Sequence, residues 1–339
     1  VRLPHTPGLA KRYFQYFKYA TGITRSVHVF RRGKPERITL VIPDSLGDVA
    51  INSGVTRAIR AGGLEAEITL VTDQKYRPAA AFNPDYDSVA VLNDCTDKPP
   101  WALSYHDQLA VAKTLTPDMD ALFLCQPGAW CDALWSRHQS LELQHKLCRT
   151  PPGLRLRPRL TIPAGAAEKV FANWWQPDGR PAIFIAPSAF TLKFGAAGER
   201  FFLDLAASLA GDGWHVFWNG PVWPSGAGRP EAGAGTVVPV GHLPLAEVVA
   251  LASMCERAVS ARSGLSDMIT FSAPELPQYV LYPNTRYPYS FRSVRQCYSL
   301  NAMGGVNVRE TENSLDTAAD LATELGKVRQ WLDSRPRAH

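Results

Sequence analysis

The chain contains no run of apolar residues long enough to cross a bilayer, no cysteines at metal-ligand spacing and no short-period repeat. The first absence argues against a membrane-spanning helix. The second argues against a zinc site or a disulfide framework. Cys95, Cys125, Cys131, Cys148, Cys255 and Cys297 are scattered and read as free thiols, buried or partly exposed. The N-terminus is basic but lacks a continuous apolar core and a small-residue cleavage site, so the expected location is the cytoplasm. Acid is scarce at that end. Glu36 is the one acid among Arg2, Lys11, Arg12, Lys18, Arg25, Arg31, Arg32, Lys34 and Arg37, and Tyr13, Phe14, Tyr16, Phe17 and Tyr19 are interleaved with them. Two readings stand for this segment. Basic and aromatic residues together suit an anionic membrane surface, which would make the protein peripheral at the inner membrane. The same residues also suit a helix docked by its aromatic face with its charges in water. Nucleic acid is not expected as a partner, because no nucleic-acid motif accompanies the charge.

What is present is ordinary globular composition, 45% hydrophobic and 20% charged, over 339 residues. That length suggests two domains. The stretch Ile38-Thr39-Leu40-Val41-Ile42 is short, apolar and β-branched, as a buried strand of a parallel sheet would be. Pro43, Asp44, Ser45 and Gly47 break it, and an amphipathic helix pattern follows to about Arg60, where Gly62-Gly63 stops it. Further strands are expected at 67–72, 88–92 and 120–125, and a helical stretch through Leu134, Leu141 and Leu147. Breakers at 149–163 precede a helix over 164–175, with a hinge near 176–181. The plan then starts again. Strands are expected at 182–187, 215–218, 236–240, 257–261 and 278–282. Helices are expected at 201–209, 245–254 and 264–271. A Gly- and Pro-rich loop over 222–235 is expected to be mobile. Residues 283–313 show no firm pattern, and a final amphipathic helix runs over 315–332. Strands alternating with helices imply parallel sheets covered on both faces. The expected domains are a basic aromatic segment at 1–36, an α/β domain at 37–176, a second at 177–313 and a C-terminal helix at 314–339.

Three polar loops lie at expected strand carboxyl ends, where open α/β sheets bind ligands. The first is Asp44-Ser45-Leu46-Gly47-Asp48. The second runs from Ser188 through Thr191 and Lys193 to Phe194. The third is Ala261-Arg262-Ser263-Gly264-Leu265-Ser266-Asp267. The third suits a phosphate: a helix N-terminus offers N–H groups and partial positive charge, and Arg262 could pair in bidentate fashion. It equally suits a helix capped by Ser263, with Arg262 paired to a local carboxylate. Lys193 adds a point charge, with Ser188 and Thr191 as hydroxyl donors. Other strings read more simply. Asp118-Met119-Asp120 spells an Asp-x-Asp metal–nucleotide string but follows Pro117 and precedes a strand, as a turn does. His106-Asp107 reads as a solvent-facing helix segment, and Trp218, Trp223 and Tyr282 as core aromatics.

Ser45-Leu46-Gly47-Asp48-Val49 resembles the amino-terminal loop of the heptosyltransferase-like glycosyltransferases of family 9. Ala186-Pro187-Ser188 through Thr191-Leu192-Lys193-Phe194, then Glu199-Arg200-Phe201, resembles the start of that family's second domain. Gly241 through Leu245 and Ser260 to Gly264 resemble its later donor-site segment. The resemblance implies an α/β protein of two Rossmann-like domains facing across a cleft, the GT-B fold. It also implies transfer of a sugar from a nucleotide-sugar donor to a glycan or lipid-linked acceptor in cell-surface polysaccharide synthesis, with inversion and without a metal or other cofactor. Asp48 would then be the base. Ser188, Thr191, Lys193, Ser263 and Gly264 would hold the diphosphate, with Arg262 assisting and Asp267 in the same loop. The chain departs from the family at two places. Arg262 stands where an Asp usually precedes the Ser/Thr-Gly, and Ser266-Asp267 stands where a Met-His usually follows. The Arg-Ser-Gly-Leu-Ser-Asp form also looks like loops of capsule and lipopolysaccharide glycosyltransferases. A nucleotide-sugar epimerase of the same architecture, or a non-catalytic sugar-nucleotide or glycan-binding protein, would share most of these features.

Overall fold

The structure is a computed structural model that describes residues 27–29, 35–43, 45–96, 103, 105–124, 157–175, 178–189, 194–221, 235–284 and 293–334. These fall into two compact units, the first drawn from Val1–Thr161 with Arg286–Gly304 and the second from Ile162–Thr285 with Gly305–His339.

In the first unit the chain runs β1 (Val27–Val29), β2 (Arg37–Val41), α1 (Leu46–Ala61), β3 (Glu67–Thr72), α2 (Arg77–Ala80), β4 (Ser88–Val91), α3 (Tyr105–Leu115) and β5 (Ala121–Leu124). The strands form one sheet in the order β1-β5-β2-β3-β4. Ile38, Leu40 and Val41 of β2 are fully buried, as the unbroken apolar run requires of a central strand covered on both faces. α1 buries Val49, Ile51, Val55 and Ile59, and also Asn52, Ser53 and Thr56. Ser53 and Thr56 find their partners inside the unit. Ser53 Oγ donates to Ala50 O at 2.7 Å and accepts from the Arg159 N–H at 3.1 Å, and Thr56 Oγ1 donates to Asp85 Oδ2 at 3.0 Å. Helix α1 stops at Ala61, and Gly63 takes a left-handed φ of +71°, which glycine adopts without strain.

The second unit runs α4 (Ala166–Asn173), β6 (Ala182–Ala186), α5 (Gly195–Gly211), β7 (His215–Trp218), β8 (Val237–Pro239), α6 (Leu245–Met254), β9 (Arg257–Ala261), α7 (Gly264–Ser272) and β10 (Gln278–Pro283). The next helix, α8 (Val294–Tyr298), belongs to the first unit, and β11 (Val308–Asn313) and α9 (Ala318–Asp333) return to the second. Its six strands are ordered β11-β10-β9-β6-β7-β8, all parallel. Read along the chain this is the 3-2-1-4-5-6 order of the Rossmann fold. Phe201, Phe202, Leu205 and Leu209 of α5 and Val328, Trp331 and Leu332 of α9 pack with Ile183, Ile185, Val216 and Tyr279 of the sheet. Behind that core Glu324 is fully buried. It accepts from Tyr279 Oη and Thr311 Oγ1, both at 2.7 Å, and from Asn313 Nδ2 and Lys327 Nζ, both at 3.0 Å. Burial pushes the Glu324 carboxyl up, but the four donors together outweigh it and leave its pKa below the ordinary value.

Several expectations change. The first sheet is not wholly parallel, because β1 pairs antiparallel with β5 at its edge. Residues 283–313, patternless in sequence, contain α8 and β11. The division into compact units falls between Thr161 and Ile162, ahead of α4. α4 goes with the second unit because it packs on α6, and Trp175 just beyond it meets Phe217 of β7 with ring centroids 5.6 Å apart. Residues 1–26 and 30–34 of the basic aromatic segment 1–36, the helical stretch through Leu134, Leu141 and Leu147, and residues 222–234 of the Gly/Pro loop lie outside the described residues.

Candidate functional site

Each sheet has one place where the strand order reverses direction. In the first sheet β3 and β4 lie to one side of β2 and β5 lies to the other. In the second, β7 and β8 lie to one side of β6, and β9, β10 and β11 to the other. At such a point the connecting segments diverge to opposite faces and leave a crevice outside the strand carboxyl ends. The loop at Ser45–Asp48 leaves β2 at the first reversal. The loops at Ser188 and Arg262–Asp267 leave β6 and β9, which are hydrogen-bonded neighbours with Ala186 opposite Ser260. The topology therefore brings the second and third sequence loops together at one reversal, 74 positions apart in the chain by the register of that pair.

In the first unit, Ser45 caps α1. Its extended backbone places Oγ to accept the Asp48 N–H at 3.0 Å. Asp48 sits in the first helical turn, where its carboxylate interacts favourably with the helix dipole, and is 5% exposed. Its carbonyl accepts from Asn52 Nδ2 at 2.8 Å, one turn on. Asn52 was not singled out in the sequence, which carries no signal for it because its partner is a main-chain carbonyl.

In the second unit, Ser188 is exposed just past β6. Thr191 and Lys193 lie outside the described residues. Ser263 caps α7 and forms a reciprocal capping box with Ser266. Ser263 Oγ accepts the Ser266 N–H at 3.3 Å, and Ser266 Oγ accepts the Ser263 N–H at 3.0 Å. Gly264 is the first residue of the helix. Arg262 is 3% exposed and Asp267 1% exposed. The two form a buried ion pair inside the unit, Nη1 donating to Oδ2 at 2.9 Å and Nη2 lying 2.7 Å from Oδ1. Of the two readings left open for Arg262, the geometry realises the local carboxylate, while the helix N-terminus beside it keeps the electrostatics that suit an anion. The Ser-x-x-Ser spacing was the sequence signal for Ser266, which was not singled out.

The remaining strings are structural. Asp120 Oδ2 accepts the N–H groups of Glu36 at 2.9 Å and Arg37 at 3.0 Å, and Asp118 lies 3.5 Å from Arg37, so this Asp-x-Asp fastens a turn to the start of β2. Asp107 is exposed on α3. Trp218 is buried and donates to Pro221 O at 2.9 Å, and Tyr282 is buried and donates to Glu310 Oε1 at 2.6 Å. Trp223 lies outside the described residues. Cys95, Cys255 and Cys297 are free thiols, and burial pushes the Cys255 thiol well above its ordinary pKa. Cys125, Cys131 and Cys148 lie outside the described residues. Among those residues no helix is long and apolar enough to cross a membrane. Two surface concavities, around Arg60 and Asp87 and around Arg257 and Arg329, lie at strand amino ends and include none of the three loops.

No family model matches the chain, and no curated protein matches it in sequence. Solved structures do match. ADP-heptose LPS heptosyltransferase II of E. coli aligns over 87% of this chain and 98% of its own, at 15% identity and a TM-score of 0.61. A glycosyl transferase family 9 protein of Veillonella parvula aligns over 90% of this chain and 91% of its own, at 15% identity and 0.58. The E. coli heptosyltransferase WaaC, solved with ADP-2-deoxy-2-fluoro heptose, aligns over 88% and 99%, at 15% identity and 0.53. The resemblance read from three short segments thus extends to the fold of nearly the whole chain.

Proposed function

We propose that the protein is a glycosyltransferase that moves a sugar from a nucleotide-sugar donor to a glycan or lipid-linked acceptor, with inversion and without a metal. The observation that carries this reading is the match between topology and sequence. The three segments that resemble family-9 glycosyltransferases leave β2, β6 and β9, the strands at the two sheet reversals. The fold likeness over 87% of the chain supports it.

The second unit binds the donor. The N–H groups in the first turn of α7 and the hydroxyls of Ser188, Thr191 and Ser263, with the Lys193 ammonium, take up the charge that grows on the departing diphosphate. The first unit supplies the base. Asp48 removes the proton from the acceptor hydroxyl as that oxygen attacks the anomeric carbon from the face opposite the diphosphate. The cytoplasmic location and the contact of the basic N-terminal segment with an anionic inner membrane belong to the same proposal.

The test is thermal stabilisation by a panel of nucleoside diphosphates and nucleotide sugars, followed by release of nucleoside diphosphate with and without acceptor glycans. A ligand that binds the native state raises the melting temperature by mass action. A selective shift with one nucleotide family, lost in Lys193→Ala, and acceptor-dependent release support the transferase. Turnover of the donor alone supports the epimerase. Binding with no turnover of any pair supports the binding protein.

A further inference from the structure

The Ser263 carbonyl is unusually well supplied with donors. It accepts from the Asp267 N–H at 3.2 Å, as the first turn of α7 requires. It also accepts from Ser266 Oγ at 2.6 Å and from Arg262 Nη1 at 2.8 Å. The same Arg262 nitrogen is held by Asp267 Oδ2 at 2.9 Å, so the guanidinium cannot swing away from the carbonyl without breaking a buried ion pair. The carbonyl belongs to the peptide that ends in the Gly264 N–H. In a trans peptide the C=O and N–H point in opposite directions. Three donors on the oxygen therefore fix the plane of this peptide and aim its N–H away from the guanidinium. They also draw electron density toward the oxygen, which makes the N–H a stronger donor.

From this we infer that Arg262 and Asp267 form a positioning pair. Arg262 serves the anion at the start of α7 by orienting and polarising the Ser263–Gly264 peptide, and its own charge is spent on Asp267. The inference rests on the reading of this corner as the diphosphate site. It assigns Asp267 a role in binding an anion even though it is itself an anion. It also predicts that the corner selects its ligand by N–H geometry, with the local charge of the two side chains cancelled.

The sign of one substitution separates this from direct contact. If Arg262 touched the phosphate, Asp267→Asn would release its charge and tighten nucleotide binding. If the pair positions the peptide, Asp267→Asn loosens the guanidinium and weakens binding. The experiment titrates the nucleoside diphosphate that stabilises the parent most, using calorimetry, against Arg262→Met, Asp267→Asn and the double variant, with the melting temperature of each measured without ligand. Each single variant is expected to weaken binding by roughly tenfold, the scale of one charge-assisted hydrogen bond. The double variant is expected to be no weaker than either single, because both remove the same device. Tighter or unchanged binding by Asp267→Asn, or losses that multiply in the double, overturns the inference. If the charge variants do not fold, Ser266→Ala decides. It removes one donor from the same carbonyl, together with the capping-box bond to the Ser263 N–H, and leaves the ion pair intact, so a loss of a few-fold in affinity supports the inference and unchanged affinity overturns it. A parent that binds no nucleotide overturns the donor-site reading as well, which sets that failure apart from a parent that binds and variants that do not differ from it.

Discussion

The helices that begin at the carboxyl ends of β2 and β9 open with the same cap and fill it differently. In both, an extended Ser accepts the N–H three residues on, Ser45 from Asp48 and Ser263 from Ser266. In the first unit the residue that receives the cap is itself the acid. In the second it is a hydroxyl, and the acid comes one residue later, bound to an arginine from the strand end. One motif thus presents a carboxylate beside a helix N-terminus, and the other presents the N-terminus with its carboxylate neutralised. A capping motif fixes where N–H groups point. The residues around it decide whether that corner presents a carboxylate or the N–H groups alone.

The largest expected effect separates the two acids by activity. Asp48→Asn should lower the transfer rate by roughly 10²–10⁴-fold, the span of general-base catalysis, with nucleotide affinity unchanged. Steady-state kinetics beside a nucleotide titration checks this, and a fully active variant would reduce Asp48 to a helix-terminal carboxylate. A second comparison extends from loops to the core of the second unit. Glu324→Leu removes the acceptor from Tyr279, Thr311 and Asn313 and should cost on the order of 3 kcal/mol in urea unfolding. Because its folded pKa lies below the ordinary carboxyl value, the stability it contributes is complete above that ordinary value. It is lost as pH falls through the lowered folded pKa. Glu324→Gln should therefore flatten the acid limb of the stability profile, and an unchanged limb would show that other carboxyls govern it.

The caps themselves give a smaller and more pointed test. Ser45→Ala and Ser263→Ala should each cost about 1 kcal/mol. Only Ser263→Ala should also weaken nucleotide binding, so equal stability losses with unequal binding losses would place the anion at the second loop. Smallest of all, Asp204→Ala breaks an exposed i,i+4 pair with Arg200 on α5 and should leave the urea midpoint where it is. That variant serves as the control for the others.

The parts of this fold that could be read in the sequence are those where one physical demand dominates. β6 is buried throughout and wholly apolar, and β2 after Arg37 and β10 after Gln278 are buried and mostly apolar, so all three stand out as apolar runs. The Gly62-Gly63 stop needs a positive φ, which leaves glycine as the marker. β11 was not legible, because Val308-Arg309-Glu310-Thr311-Glu312-Asn313 lies at the sheet edge and is only half-buried. The three residues of β1 carry too short a pattern to detect. α4 was seen as a helix, but its allegiance to the second unit depends on Trp175 meeting Phe217, a contact of long sequence separation. At the site, the Ser263 cap stood as one of two readings, and the Ser45 cap was not singled out. The Arg262–Asp267 pairing stood only as one of two options, since the sequence shows the two charges and not the fact that both are buried. The supply of donors to the Ser263 carbonyl was invisible, because it is a property of three dimensions alone.

The return of residues 293–304 to the first unit bears on how the protein is made. Val294, Cys297, Leu300 and Met303 are buried and belong to a unit whose sheet is complete by residue 124. During synthesis that sheet leaves the ribosome well before the side chains that finish its unit. The second unit in turn lacks β11 and α9 until residues 308–333 emerge. Neither unit is therefore complete until residues well past the end of β10 have been translated. A ribosome stalled near residue 285 would hold two unfinished cores at once, and such nascent chains should need a chaperone more than the released protein does.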